Sequence, residues 1–154
     1  MHAPADYACP FCRVAAGGES QAEVFNDGVV IGVMGLHQPA NHAGTVLVLP
    51  AQHFENTYEL PDELAGRLMV ASARIARALK VALGCEGVTL RQNNEPAGGQ
   101  DVWHWHMHVI PRYAGDQYFQ TPMRMMPLAE RAALAARIRA AMDAAEPDRV
   151  GGAS

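Results

Sequence analysis

Apolar positions along this chain follow two rhythms, and each segment between turn signals keeps to one of them. Ala22 to Asn26 and Val29 to Met34 are short apolar, β-rich runs on either side of Asn26-Asp27-Gly28, a hairpin signal, and are read as two antiparallel strands. Gly35 to Gly44 reads as a loop, and Thr45 to Leu49 as a third strand stopped by Pro50. The near-continuous apolar character of that strand places it at the centre of a sheet. The rhythm then changes. Pro61-Asp62-Glu63 carries a proline and two acids suited to a helix start, and Leu64, Leu68, Ala71, Ile75, Leu79 and Ala82 recur at helical spacing until Gly84. Such a stripe predicts a long helix that covers the sheet with its apolar face. Val88 to Gln92 is a fourth strand, Val102 to Ile110 a fifth, and Pro127 to Met142 a second helix rich in alanine and arginine. Strands and helices do not alternate, so the predicted fold class is α+β, not a doubly wound sheet.

Length and composition narrow the setting. A chain of 154 residues predicts one domain with a proper core, spanning 1–154, with Met1 to Ala8 and Glu146 to Ser154 as mobile tails. Hydrophobic content of 49% with 18% charged residues is ordinary for a globular protein, and no apolar run approaches the ~20 residues of a membrane span. No signal segment opens the chain, so a cytoplasmic setting without disulfides is expected. The net charge of -4 argues against nucleic-acid polymers as partners, because non-specific binding to them needs a basic face. A small phosphorylated ligand stays compatible.

Two stretches carry chemistry. His104, His106 and His108 alternate with Trp105, Met107 and Val109, and on a strand successive side chains point to opposite faces, so one face is imidazole and the other core. Neighbouring histidines on that face lie roughly 6.6 Å apart. Structural histidines and a catalytic zinc site are both open readings of this face. Pro96-Ala97-Gly98-Gly99 before it cannot hold a strand and reads as a loop with backbone amides free to meet an anion. The second stretch is Cys9-Pro10-Phe11-Cys12, which suits a redox pair or half of a structural zinc site. Only eight residues precede Cys9, too few and too polar for the buried strand that a redox pair follows. Cys85 is the one other cysteine, so histidines must complete a metal site.

Gly99-Gln100-Asp101-Val102-Trp103-His104-Trp105-His106-Met107-His108-Val109-Ile110 resembles the His-x-His-x-His signature, with its Gly-Gln lead-in, of the histidine triad superfamily of nucleotide hydrolases and nucleotidyltransferases. Weaker similarity runs over roughly residues 9 to 112. The resemblance implies a five-stranded antiparallel sheet with a long covering helix and a C-terminal helix, a homodimer in which two such sheets join, and a small-molecule nucleotide substrate. It implies that His106 is the nucleophile toward an α-phosphate and that His108 serves the leaving group. Asn93, Gly99, Gln100 and Asp101 match positions that contact or orient the phosphate. The branch with an N-terminal Cys-x-x-Cys implies a structural zinc on Cys9, Cys12, His53 and His104. A second function class is a non-catalytic nucleotide sensor or adaptor using the same pocket. This chain departs from the pattern where Gly44-Thr45 replaces the commoner Gly-His, where the ribose-holding acid is missing around Gly35-Leu36, and where Asp101 replaces Ser or Thr. Asp101 puts a carboxylate where phosphate charge is expected, which lowers affinity for dianionic groups unless a histidine proton or Arg112 pairs with it. His37 and His42 lie in the loop near the ribose position and are read as solvent-exposed.

Overall fold

The computed structural model describes residues 2–145, so the predicted tail at 146–154 lies outside the described residues. Five strands form one antiparallel sheet: β1 (Glu23–Asn26), β2 (Val30–Met34), β4 (Val46–Pro50), β6 (Met107–Arg112) and β5 (Gly87–Gln92), in the order β1-β2-β4-β6-β5. As its apolar run requires, β4 is the central strand. The β1–β2 hairpin closes as its turn residues predict, with Asp27 Oδ1 accepting from the amides of Val29 and Val30 and Asn26 Oδ1 accepting from Gly28, which sits at φ +82°.

Helix α2 (Asp62–Leu83) covers the sheet. Leu68, Ile75 and Leu79 are completely buried against Val46, Val48 and Val109, and each such aliphatic side chain contributes about 1.5–3 kcal/mol relative to exposure. The helix stops because Gly84 takes a left-handed conformation, φ +65°, and returns its amide to the Lys80 carbonyl, a geometry that costs a residue with a Cβ. Helix α3 (Leu128–Ala144) packs on α2 and on β1 through Ala135, Ile138 and Met142, and its buried Arg131 pairs with Glu19.

Three predictions need correction. The segment 35–44 is not all loop: β3 (His37–Pro39) pairs with β7 (Met123–Met125) in a separate two-stranded ribbon. Each strand is only three residues long, too short for a period to mark it, and only pairing distant in sequence forms them. The triad strand is shorter than Val102 to Ile110, since its ladder begins at Met107; the Trp105 amide turns to the Phe54 carbonyl (2.6 Å) instead of to β4. Finally, residues at the N-terminus contact the body. The His2 ring stacks on Trp103, its backbone nitrogen donates to Glu55, and the Tyr7 hydroxyl accepts from the Trp103 amide at 3.1 Å.

Candidate active site and metal centre

Short helix α1 (Pro10–Arg13) begins at Cys9, whose Sγ accepts the Cys12 amide at 3.4 Å, so the two thiols are held on one side of a single turn. His53 follows β4 and His104 precedes β6. The four potential ligand atoms of Cys9, Cys12, His53 and His104 lie within 4.8 Å of one another. His104 Nδ1 is 3.4 Å from Cys9 Sγ and 3.7 Å from Cys12 Sγ, and His53 Nδ1 is 3.4 Å from Cys12 Sγ. Tetrahedral zinc with Zn–S near 2.3 Å and Zn–N near 2.05 Å separates sulfur from nitrogen by about 3.5 Å, so the set fits that ion.

The imidazole tautomer fits as well. His104 Nε2 is 3.0 Å from the Pro50 carbonyl, which can only accept, so Nε2 carries the proton and Nδ1 presents its lone pair to the thiols. Burial holds His104 in the neutral, ligating form by pushing its pKa down to about 4. Burial, with Cys9 adding to it, also pushes the Cys12 thiol up to about 11, so a bound cation is what makes that thiolate favourable. Two thiolates and two imidazoles close the coordination sphere, which makes this a structural zinc site with no position for a reacting water.

His106 is buried, and its Nδ1 lies 2.8 Å from the carbonyl of His104. That carbonyl fixes the proton on Nδ1, leaving the Nε2 lone pair unprotonated. Phe11 meets the His106 ring edge-on at 5.0 Å, and the rings of His106 and His108 are also 5.0 Å apart. Both histidines are held neutral: burial first, then repulsion from His106 and Arg91, pushes the His108 pKa down to about 3, and burial, with a smaller contribution from Arg91, lowers that of His106 below its ordinary value.

Both rings open on a cavity of ≈ 720 Å³. Its walls come from β2, β4, β5 and β6, with Phe11 and Asp101 beside the histidines. In the ladder Leu47 and Arg91 both stand opposite His108, and all three line the cavity, so it occupies the sheet face turned away from the α2 core.

The structure therefore brings His106, His108 and Asp101 to one cavity. Asn93, Gly99 and Gln100 brace the adjoining loop: Asn93 Nδ2 donates to Gly99 O at 3.0 Å, and buried Gln100 donates to the carbonyls of Glu55 and Val102 while accepting from the Glu95 amide. The amides of Gly98, Gly99 and Gln100 are not free, as the loop composition suggested, but close turns onto Glu95 and Pro96. Arg112 is not a partner for Asp101 either, since it forms a two-point ion pair with Asp116 at 2.8 Å. His37 is exposed and lines the cavity, whereas His42 packs edge-on against Tyr113 at 5.2 Å. Sequence reasoning missed Arg91, whose only signal was its place in a strand destined to pair with the triad strand.

These features define the class, a histidine triad protein of the zinc-containing branch. The chain belongs to the HIT domain family, whose match spans residues 24–115. It is 40% identical over 111 residues to Protein hit of Bacillus subtilis, covering 71% of this chain and 75% of that one. It is 28% identical over 108 residues to Adenylylsulfatase HINT3 of Arabidopsis thaliana, covering 70% of this chain and 54% of that one. Its structure is similar to that of a zinc-bound histidine triad family protein from Mycobacterium smegmatis, with a TM-score of 0.76 and 29% identity over 90% of this chain and 98% of that one. The family includes nucleotide-binding and hydrolytic members. Among the described residues no helix is long and apolar enough to cross a membrane.

Proposed function

We propose that this chain is a nucleotide hydrolase or nucleotidyltransferase acting on the α-phosphate of a purine nucleotide conjugate, a nucleoside phosphoramidate or a dinucleoside polyphosphate, through a nucleotidyl-histidine at His106. The observation that carries the reading is the 2.8 Å bond from His106 Nδ1–H to the His104 carbonyl, because it aims an unprotonated Nε2 into the cavity. Attack by Nε2 forms an N–P bond as the bond from phosphorus to the leaving group breaks. The leaving group departs with that electron pair and takes a proton from His108. The free site keeps His108 neutral, and the negative charge of an arriving phosphate opposes that burial effect and returns a proton to it. Water, or a second acceptor, then attacks phosphorus while His108 removes its proton, and the N–P electrons return to Nε2. The zinc supplies bracing: it joins the N-terminal cysteines and the His53 loop to the segment whose carbonyl orients His106.

Asn93, Gly99 and Gln100 act in this reading by fixing the loop that carries Asp101, and not through loop amides of their own. We also propose a homodimer; β5 has an unpaired edge and Leu90 on it is exposed, as are Met69, Val70 and Val81 on α2. Light scattering at micromolar concentration is expected to give twice 16.6 kDa.

The test is intact mass spectrometry of the zinc-loaded protein mixed with adenylyl and guanylyl conjugates and quenched without acid. An added nucleoside monophosphate is expected with His108→Ala and not with His106→Ala. Turnover that survives His106→Ala would overturn the nucleophile. Binding without turnover across the panel, unchanged by His106→Ala, would favour the sensor, for which the carboxylate of Asp101 in the phosphate region is the motivating feature.

A further inference from the structure

The phosphate-facing part of the cavity lacks the donors that its loop suggested, since the amides of Gly98, Gly99 and Gln100 are internally bonded. Three arginines line the cavity. Arg131 is spent on Glu19, and Arg13 is exposed on α1. Arg91 differs from both. It stands directly across the ladder from His108, and it forms no ion pair or hydrogen bond with any described residue. Its Nε is buried yet has no partner. A buried guanidinium N–H without an acceptor is costly, so this side chain is arranged for an acceptor that arrives from outside. Two carboxylates line the cavity: Glu19 is paired with Arg131, and Asp101 does not reach Arg91 within ion-pair distance.

We infer that Arg91 is the specificity-determining residue for the leaving group, binding its negative charge beside His108 and so favouring conjugates whose leaving group is anionic, a phosphate ester or sulfate, over a neutral amine. The inference rests on the proposed reaction for its vocabulary of leaving groups, but its physical content is a cation aimed at the second anionic group of a nucleotide. A planar fork of donors suits a tetrahedral oxyanion, and a bond of that kind survives only while the group carries charge. His108 is the group that serves the leaving side in the reading above, and cross-strand neighbours have Cβ atoms about 5 Å apart, so one leaving group meets both.

The experiment compares the full zinc-loaded protein with Arg91→Gln, Arg91→Lys and Arg13→Gln. Two adenylyl substrates share the nucleoside and differ in leaving group: adenosine 5′-phosphoramidate and diadenosine triphosphate. Arg91→Gln is expected to lower kcat/KM at least 10-fold for the triphosphate and less than 3-fold for the phosphoramidate, with partial recovery in Arg91→Lys and no change of preference in Arg13→Gln. Calorimetric titration with AMP and ADP runs alongside and needs no turnover. There, wild type is expected to prefer ADP and Arg91→Gln to lose that preference, with melting temperatures confirming that every variant is folded. Equal losses on both substrates, an unchanged ADP preference, or the same loss in Arg13→Gln would overturn the assignment. If no substrate turns over but the ADP preference still disappears with Arg91→Gln, the assignment stands and the hydrolase reading falls; if turnover runs through His106 and Arg91→Gln is neutral, the reverse holds.

Discussion

The carbonyl of His104 accepts the Nδ1–H of His106 at 2.8 Å while the His104 ring is turned the other way, its Nδ1 toward the thiols and its Nε2 on the Pro50 carbonyl. One residue thus offers its side chain to the zinc and its backbone to the candidate nucleophile. Anything that shifts the metal set shifts the aim of His106.

Removing the metal should therefore affect fold and chemistry together. Cys12 and His53 are exposed, which gives a chelator access from that side, whereas Cys9 and His104 are buried. One zinc per chain is expected in the purified protein, and Cys9→Ser should lose most of it. A chelator should lower the melting temperature by several degrees with no substrate present, since metal binding energy is folding energy here. Below that melting temperature, the stripped protein should keep nucleotide affinity within about threefold and lose kcat by about tenfold, the loss expected when positioning goes but binding stays. Zinc content unchanged in Cys9→Ser would remove the ligand set.

Gln38 gives a prediction independent of catalysis. It is fully buried, and its amide donates to the Gly35 and Thr45 carbonyls at 2.8 and 2.9 Å while its Oε1 accepts from the Gly44 and Thr45 amides at 3.1 and 2.9 Å. Four backbone groups on either side of β3 bond to this one side chain, and of these the Thr45 carbonyl also accepts from the Gly35 amide at 3.0 Å. Gln38→Leu leaves the Gly35 carbonyl and the Gly44 and Thr45 amides unsatisfied, and chemical denaturation should show a loss of about 3 kcal/mol. Gln38→Glu keeps the acceptors and strips the donors, so it should also destabilise; a loss below 0.5 kcal/mol in both would show that water replaces the bonds.

What was legible in the sequence is what local rules govern. Asn26-Asp27-Gly28 specifies its turn, the Leu68-Ile75-Leu79 stripe specifies a helix face, and the apolar run 45–49 specifies the central strand, because propensity and burial agree at each. The Cys9, Cys12, His53 and His104 set came from resemblance, and the ring orientations now give it physical grounds. What escaped was decided by pairing. Nothing local marks His37–Pro39 or Met123–Met125 as strands, and the period of two through the triad hid the fact that zinc-side and loop contacts, not the ladder, hold His104 to His106. Arg91 read as one polar residue in a strand until the register set it opposite His108.

Thr45 lines the cavity with a buried hydroxyl that has no partner among the described residues. Its replacement by valine removes that unmet group at nearly equal volume. The unliganded melting temperature of Thr45→Val is expected to stay level or rise, because the cost of burying an unpaired hydroxyl disappears. A fall of more than 2 °C would mean that the hydroxyl is satisfied in solution.

The neutral state of His108 ties stability to pH with a definite sign. Burial, then repulsion from His106 and Arg91, lowers its folded pKa to about 3 from an ordinary value of 6.5, so below pH 6.5 the unfolded chain binds a proton that the folded chain refuses. Above pH 6.5 both states are neutral at this site and it contributes no pH dependence. As pH falls from 6.5 toward 3, stability should drop by an amount on the order of a few kcal/mol from this residue alone, levelling once both states are protonated. Zinc ligands also take up protons in acid, so the wild-type curve contains more than one process. His108→Gln isolates the histidine: it keeps a polar side chain in the cavity but cannot titrate, and its stability measured by denaturant at pH 7, 6, 5 and 4 should fall less steeply than wild type while zinc release follows the same course. Adding a nucleoside monophosphate should shrink the difference between the two curves, because the phosphate's charge lifts the His108 pKa toward its unfolded value. Parallel curves in the absence of ligand would show that the folded protein already holds His108 near its ordinary pKa, and the proton supply proposed for the leaving group would then require no help from the substrate.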